Sequence, residues 1–489
     1  MTWHPAYAER VLVPDHRFAA ARLYPAFLDA LTAHARTVAR LPAAAAHGDQ
    51  LAALDAGLRR QRDLPPPPPE AGVPDLYFAL QRRLEAEFVA ASGPEAGAAT
   101  LAWLRLGLSR NDLDMTAYVL AARDSLLRVA RRAGELRGAL LDLAAAHVGT
   151  VVIATTHHQP AQPTTLAHYL VAVAAMVGRD HDRLLGALRR LDRCPLGAAA
   201  LAGSSHPLDR AFTAAALGFA EPVANTYDAV ASGDWQLDVA ALGQTLGVGL
   251  SRVVHDLVAA ASDGWWRLAD DLVQGSSIMP QKRNPVTLEH ARTRFGRAAG
   301  AAQMLAFSGH NVPFGDVNDI GPDVQEAVHT VLDALDAGLE LLVACLRGAT
   351  IDTDRLAARA AATDTTATEL ADELVRTGGH PFPEAHRTAA ALVRLLADQG
   401  RPLATATPDD LLACGGPPLP AEVLAEALAP AAFVARRNGL GGPAPESVRS
   451  QIGRARSELA EYHRAVDLTT ARIDAAYRSL RTPGKDTLA

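Results

Sequence analysis

Residues 275–285 read Gly-Ser-Ser-Ile-Met-Pro-Gln-Lys-Arg-Asn-Pro, a short stretch dense in groups able to do chemistry. Two hydroxyls, Ser276 and Ser277, stand close to an ammonium, Lys282, and an amide, Asn284. Gly275 permits backbone angles closed to other residues. Asn284 followed by Pro285 has the form of an N-cap and first-turn pair, which predicts a helix starting there. Such groups on a loop feeding a helix N-terminus suit a carboxylate ligand. An ordinary polar loop has the same composition, so the loop alone does not decide. A phosphate loop is disfavoured, because a Walker A motif needs a glycine directly before its lysine and Gln281 stands there. Gly247 and Gly249 lack the third glycine of a dinucleotide fingerprint.

Long helices must hold this loop. Leu126, Val129, Ala133, Leu136, Leu140 and Leu143 alternate steps of three and four. Val328, Leu332, Leu335, Leu339, Leu342 and Leu346 do the same, and Leu242, Leu246, Leu250, Val253 and Leu257 follow a similar stripe. That spacing makes the seam of long helices packed nearly parallel, so the expected fold class is all-α with a central long-helix bundle. Strand signals are almost absent; the β-branched run from Val148 to Thr156 reads as a strand or an extended loop. Pro65 to Pro69 form a polyproline spacer. Gly378 to Pro381, the segment around Gly415 to Pro420, and Gly441 to Pro445 break the C-terminal third into short helices. The division read from these breaks is an N-terminal helical domain over 1–108, a long-helix domain over 109–355, and a small helical domain over 356–489.

The 489 residues carry 47 basic and 54 acidic side chains, a net charge of −7 that argues against nucleic acid as the main partner. Three cysteines, Cys194, Cys345 and Cys414, have no CxxC spacing and read as free thiols of a reducing cytoplasm. No leader is visible, and no uncharged apolar stretch reaches the roughly 18 residues of a membrane span.

The eleven-residue loop resembles the signature GSSxMPxKxNP of the aspartase/fumarase superfamily. Further segments resemble its argininosuccinate lyase branch: Ser109-Arg110-Asn111-Asp112; THHQPAQPTTLAHYL at 156–170; PLGAAALAG at 195–203; and, towards the C-terminus, ATELADELVRTGG and PFPEAH. They run in family order from about residue 75 to 390. The resemblance implies a three-domain, mostly helical subunit. It also implies a homotetramer around a twenty-helix core, with each active site shared by three subunits. The implied reaction is a β-elimination that breaks a C–N bond and releases fumarate, with no cofactor and no metal.

By that resemblance Ser276 is the base. Lys282 and Asn284 stabilise the aci-carboxylate formed when the neighbouring carbon loses its proton. Ser109, Arg110 and Asn111 hold a substrate carboxylate, where a guanidinium fork is well suited. Thr156 binds the fumarate part, and Ser277 and Met279 line the loop. His157, paired with Glu289, donates a proton to the leaving nitrogen or binds a carboxylate. His158 has no catalytic role, and a metal site from His157, His158 and His168 lacks any supporting cluster. The serine needs help. A lysine at about 4 Å contributes ~4 kcal/mol at an effective dielectric near 20, lowering the hydroxyl pKa by only about 3 from a value near that of water, about 15.7. A helix N-terminus, further donors and a closing loop must supply the rest.

The sequence departs from the family where the leaving group is read. Tyr77 stands at a family histidine, Leu80 at an asparagine and Gly233 at an arginine. Phe314 stands at a tyrosine, and the glutamine and lysine that follow it are absent from the Phe314 to Pro322 stretch, which includes Asn318 and Asp319. Lost polar contacts change discrimination more than lost methylenes. The resulting expectation is a lyase for an N-substituted aspartate with an altered leaving group, able to run as amine addition to fumarate. A true argininosuccinate lyase, a cycloisomerase and a crystallin-like structural protein are the alternatives.

Overall fold

A computed structural model describes residues 3–482, and its architecture is helical with three small two-stranded sheets among the described residues. Helices α1 (Tyr24–Val38) and α2 (Leu76–Ser92) precede the long elements, with the Pro65 to Pro69 run outside any helix between them. Helix α3 (Arg110–Ala146) has 37 residues, roughly 55 Å at 1.5 Å per residue. The antiparallel hairpin β1 (Val151–Thr156) and β2 (Gln159–Thr165) follows, then α4 (Leu166–Leu191) and α5 (Asp234–Ser262). Strand β3 (Trp266–Leu268) leads to the signature loop and to α6 (Val286–Ser308). Helix α7 (Pro322–Arg347) ends at β4 (Ala349–Ile351), which pairs antiparallel with β3, and α8 (Thr353–Ala361) comes next.

The seams read from the sequence are the core. Val328, Leu332, Leu335, Leu339, Leu342 and Leu346 are buried, as are Leu242, Leu246, Leu250, Val253 and Leu257; Leu143 alone of the α3 stripe is only partly covered. Helix α7 approaches α6 so closely that a Cβ at Gly338 would stand 2.7 Å from the Phe295 ring. Burying a Leu or Val side chain contributes about 1.5–3 kcal/mol, so these stripes dominate the stability of the bundle.

Bundle connections define two ends. At one, Asp112 of the first α3 turn accepts hydrogen bonds from the backbone of Gly197 (2.8 Å) and Ala199 (3.0 Å), just after α4 ends. Gly233 before α5 packs on Ile320 before α7, at the same end. At the other end lie the hairpin, the β3–β4 pair and the signature loop, with α8 packed against β1.

The last helix differs from the sequence reading. Helix α9 (Pro445–Arg481) runs 37 residues, because every breaker of the C-terminal third lies before it. It returns to the bundle, where Val448, Ile452, Leu459 and Tyr462 join the main core and the Tyr462 hydroxyl donates to the Ala130 carbonyl at 2.8 Å. The short helices between residues 370 and 428 enclose a core of their own around Leu370, Leu392 and Leu411. Cys194, Cys345 and Cys414 are free thiols, and no helix among the described residues is long and apolar enough to cross a membrane.

Candidate active site

The signature loop is held by its backbone. Gln274 and Asn284 exchange two hydrogen bonds, N–H to carbonyl at 3.0 and 2.9 Å, which close residues 275–283 into a tied loop. Asn284 is therefore not the N-cap expected from the sequence. Helix α6 starts at Val286, Pro285 takes the cap position, and no side chain caps it, because the Asn284 backbone is already engaged in the bridge. Within the loop, the Ser276 Oγ accepts from the backbone N–H of Met279 (3.1 Å) and, more weakly, of Ile278 (3.4 Å). Both donors favour an oxyanion at that oxygen, the help a serine base requires. Arg283 anchors the loop through the Leu268 carbonyl at 2.8 Å and an ion pair with Asp270. Ser277, Met279 and Lys282 are exposed, and Ile278 is 83% exposed.

The β-branched run resolves as a strand, and the hairpin turns on His157 and His158. Both have positive φ, 51° and 62°, a region that non-glycine residues enter at a cost. Such a turn aims His157 off the hairpin tip, beside exposed Thr156. Glu289 sits exposed in the first turn of α6, and within one chain no hydrogen bond or ion pair among the described residues joins it to His157. His168 is occupied otherwise: its ring nitrogens meet Thr164 Oγ1 and the Gly441 carbonyl, both at 2.9 Å.

The Ser109–Asp112 block, expected from the sequence to hold a carboxylate, opens α3 at the opposite end. Ser109 caps the helix by accepting from the Asn111 N–H at 3.3 Å, and Asp112 returns a bond to the Ser109 N–H at 3.0 Å. Burial pushes the Asp112 carboxyl up to about 7, against the pull of the N–H groups of Gly197, Ser109 and Ala199. Arg110 already has partners: Asp75 at 3.1 Å and Asp114 at 3.5 Å. Asp75 and Asp114 were not singled out in the sequence, where each reads as routine. One is an N-cap for α2; the other sits four residues after an arginine on a helix.

The departures from the family pattern gather at this same end. Tyr77 is buried, accepts a hydrogen bond from Gln81, and has its phenol pushed up to about 12 by burial. A Cβ on Gly233 would stand 3.3 Å from Ile320, and the nearby Gln236 side chain donates to the Ile320 carbonyl at 2.7 Å. Phe314 stacks on Tyr227 with ring centroids 6.0 Å apart, and the Tyr227 hydroxyl donates to the Phe314 carbonyl at 3.1 Å. Asn318 lines the same cavity as Tyr77 and Arg110, and Asp319 is exposed beside it. One chain thus places Ser109, Arg110, Asn111, Tyr77, Gly233, Phe314, Asn318 and Asp319 at one end of the bundle, with Tyr77, Arg110 and Asn318 on a common cavity. It leaves Thr156, His157, Ser276, Ser277, Met279, Lys282, Asn284 and Glu289 at the far end, roughly the length of α3 away.

Residues 78–300 match the model of a family described as Lyase, and residues 364–435 match one described as Argininosuccinate lyase C-terminal. An argininosuccinate lyase from Methanoculleus marisnigri is 39% identical over 386 residues, 77% of this chain and 77% of the relative. The chain belongs to the argininosuccinate lyase family. It is a carbon–nitrogen lyase by that membership. An EDDS lyase variant with bound fumarate is similar in structure, with a TM-score of 0.84 at 28% identity, covering 100% of this chain and 96% of that one. A class II fumarase from Schistosoma mansoni, at 17% identity over 84% of this chain and 90% of its own, has a TM-score of 0.69 and shares the fold of the superfamily.

Proposed function

We propose that the protein eliminates fumarate from an N-substituted aspartate whose leaving group differs from that of argininosuccinate, and that it also runs the reverse addition. Ser276 takes the proton from the carbon next to a carboxylate, and Lys282 with Asn284 stabilises the charge that the carboxylate absorbs. The C–N bond then breaks. His157, oriented by Glu289, protonates the departing nitrogen or holds a carboxylate. Ser109, Arg110, Asn111 and Thr156 hold the fumarate part, with Ser277 and Met279 beside it. No cofactor takes part in this scheme, and the protein works in the cytoplasm.

The observation that carries the altered specificity is the placement of the rewritten residues at one end of the bundle. Gly233 lies against Ile320, Phe314 on Tyr227, and Tyr77 with Asn318 on one cavity. These changes share the Arg110 end of the bundle, whereas the signature loop and hairpin at the other end keep the family pattern. Candidate substrates are aminopolycarboxylates such as ethylenediamine-disuccinate, in keeping with the EDDS lyase neighbour, and nitrosuccinate-type precursors. The separation of the two residue groups along α3 supports a homotetramer whose sites combine ends from different subunits. The second reading, argininosuccinate as substrate, is favoured by the 39% identity to an argininosuccinate lyase. Purified enzyme given argininosuccinate separates them. The proposal expects fumarate absorbance to rise far more slowly than for an ordinary lyase; ordinary turnover, or rescue of an arginine auxotroph, overturns it.

A further inference from the structure

The signature loop is fastened to the rest of the chain at few points. Its main-chain closure is the pair of bonds between Gln274 and Asn284. Inside that closure the bonds are internal: the Ser276 Oγ accepts from Met279 and Ile278, and the Lys282 N–H donates to the Met279 carbonyl at 3.0 Å. Among the described residues, Arg283 is the one member of 275–283 whose side chain forms a hydrogen bond or ion pair outside the loop. Its guanidinium divides between two partners, the Leu268 carbonyl at 2.8 Å and the Asp270 carboxylate. The first partner is firmly held, because Leu268 is buried at the end of β3, which pairs with β4. One backbone bridge leaves a loop free to swing about it, and a second fastening one residue away removes that freedom. A planar fork that holds two acceptors in fixed directions suits this task better than the point charge of a lysine on its flexible stem.

Lys282 directly precedes Arg283, is exposed, and has no side-chain hydrogen bond or ion pair among the described residues. The chain runs from these two residues into the extended bridge at Asn284, where successive side chains leave the backbone on opposite sides. With Arg283 drawn onto β3, Lys282 is turned away from it. We propose that Arg283 is a positioning residue for the elimination: by latching the stem of the loop onto β3, it sets the direction in which Lys282 presents its ammonium to the substrate carboxylate. The inference rests on the lyase reading above and adds a residue whose place in the signature GSSxMPxKxNP is open to any side chain. The partner Asp270 is 89% exposed, so its ion pair adds little to stability and the latch acts on turnover rather than on the fold. A misdirected ammonium is missed chiefly where charge develops, in the transition state, so its loss falls on kcat and spares KM.

The test follows fumarate released by the full-length enzyme from ethylenediamine-disuccinate or argininosuccinate, whichever the wild type turns over faster. Arg283→Ala is expected to lower kcat on the order of 10²-fold, with KM changed less than about threefold and the melting temperature at the wild-type value. Arg283→Lys, which keeps a charge opposite Asp270 without the fork, is expected to recover part of that loss. Asp270→Asn is expected to lower kcat only roughly threefold. The decisive comparison is made in a Lys282→Ala background, where Arg283→Ala is expected to cost less than about twofold more, because the group it aims is gone. A wild-type kcat in Arg283→Ala, or the full loss repeated in the Lys282→Ala background, overturns the inference and leaves the lyase reading standing, because the wild type still releases fumarate. A loss in Arg283→Ala that comes with a lowered melting temperature and no recovery in Arg283→Lys marks a structural residue and overturns it in the same way. Fumarate from neither substrate in the wild type overturns the lyase reading and the inference together.

Discussion

The two ends of the subunit are built on different physical plans. At the signature-loop end, chemistry-bearing residues stand on exposed backbone tied by main-chain bonds: the Gln274–Asn284 bridge, the serine turn at Ser276, and the hairpin tip at His157. At the Arg110 end, side chains do the holding: the Asp112 carboxylate on the Gly197 N–H, the Gln236 amide on the Ile320 carbonyl and the Phe314 ring on that of Tyr227. Main-chain ties fix a geometry whatever the neighbouring side chains are, so a reaction can be preserved there. Side-chain packing can be rewritten residue by residue, so recognition can change. The difference fits the proposed reading, in which one scaffold keeps an elimination chemistry while what it eliminates changes.

Four changes sharpen or break that contrast, in falling order of effect. On the proposed mechanism Lys282→Ala removes the charge opposite the developing aci-carboxylate, and it is expected to cost on the order of 10³-fold in turnover, read as fumarate formation, with an unchanged melting temperature. A melting shift of several degrees would show that the exposed loop is structural. Gly233→Arg restores the family's residue at the packed end. With Ile320 3.3 Å from its Cβ, it is expected to destabilise the fold by about 1–3 kcal/mol in denaturant unfolding and to leave argininosuccinate a poor substrate.

The third change concerns pH. The Asp112 carboxyl is raised to about 7 in the folded chain, so between its unfolded value near 3.9 and 7 the folded state binds the extra proton. Stability conferred by that protonation is present at the acidic side of the window and is lost as pH rises towards 7, at up to about 1.4 kcal/mol per pH unit. Asp112→Asn is expected to flatten this slope in unfolding curves taken from pH 4.5 to 7; an unaltered slope would assign it to other carboxylates. The smallest effect is expected from His158→Gly, which removes a positive-φ cost of roughly 1 kcal/mol at the turn, partly offset by glycine's greater freedom when unfolded. Its turnover is expected to stay at the wild-type value in the same assay.

How much of this was legible in the sequence follows from range. The bundle was legible because Val328 to Leu346 and Leu242 to Leu257 repeat with a helical period that only a core explains. The hairpin was ambiguous because β2 contains Pro160 and Pro163, which a two-stranded ribbon tolerates at its outer edges, and because its turn is His-His where glycine or asparagine is usual. Asn284 misled as a cap because its backbone is engaged by Gln274, a partner that no local rule names. Helix α9 was hidden by the breakers before it, and its apolar face finds a partner only when it returns to α3. The signature loop identified the chemistry, whereas the cavity between the N-terminal segment and the starts of α2, α3 and α7 escaped notice because its acids Asp15, Asp114 and Asp323 lie far apart in sequence and each looks routine on its own helix. The cavity exists only as a property of the assembled fold.

The central claim is that a working site joins the Ser276 end of one subunit to the Arg110 end of another, since α3 holds the two ends roughly 55 Å apart within a chain. Mixing inactive Ser276→Ala and Arg110→Ala subunits, unfolding and refolding them together, and assaying the mixed oligomers tests it directly. Recovered lyase activity is predicted, because some interfaces then pair an intact serine end with an intact arginine end. Mixed oligomers, verified by native mass spectrometry, that remain as inactive as either parent would contradict the account.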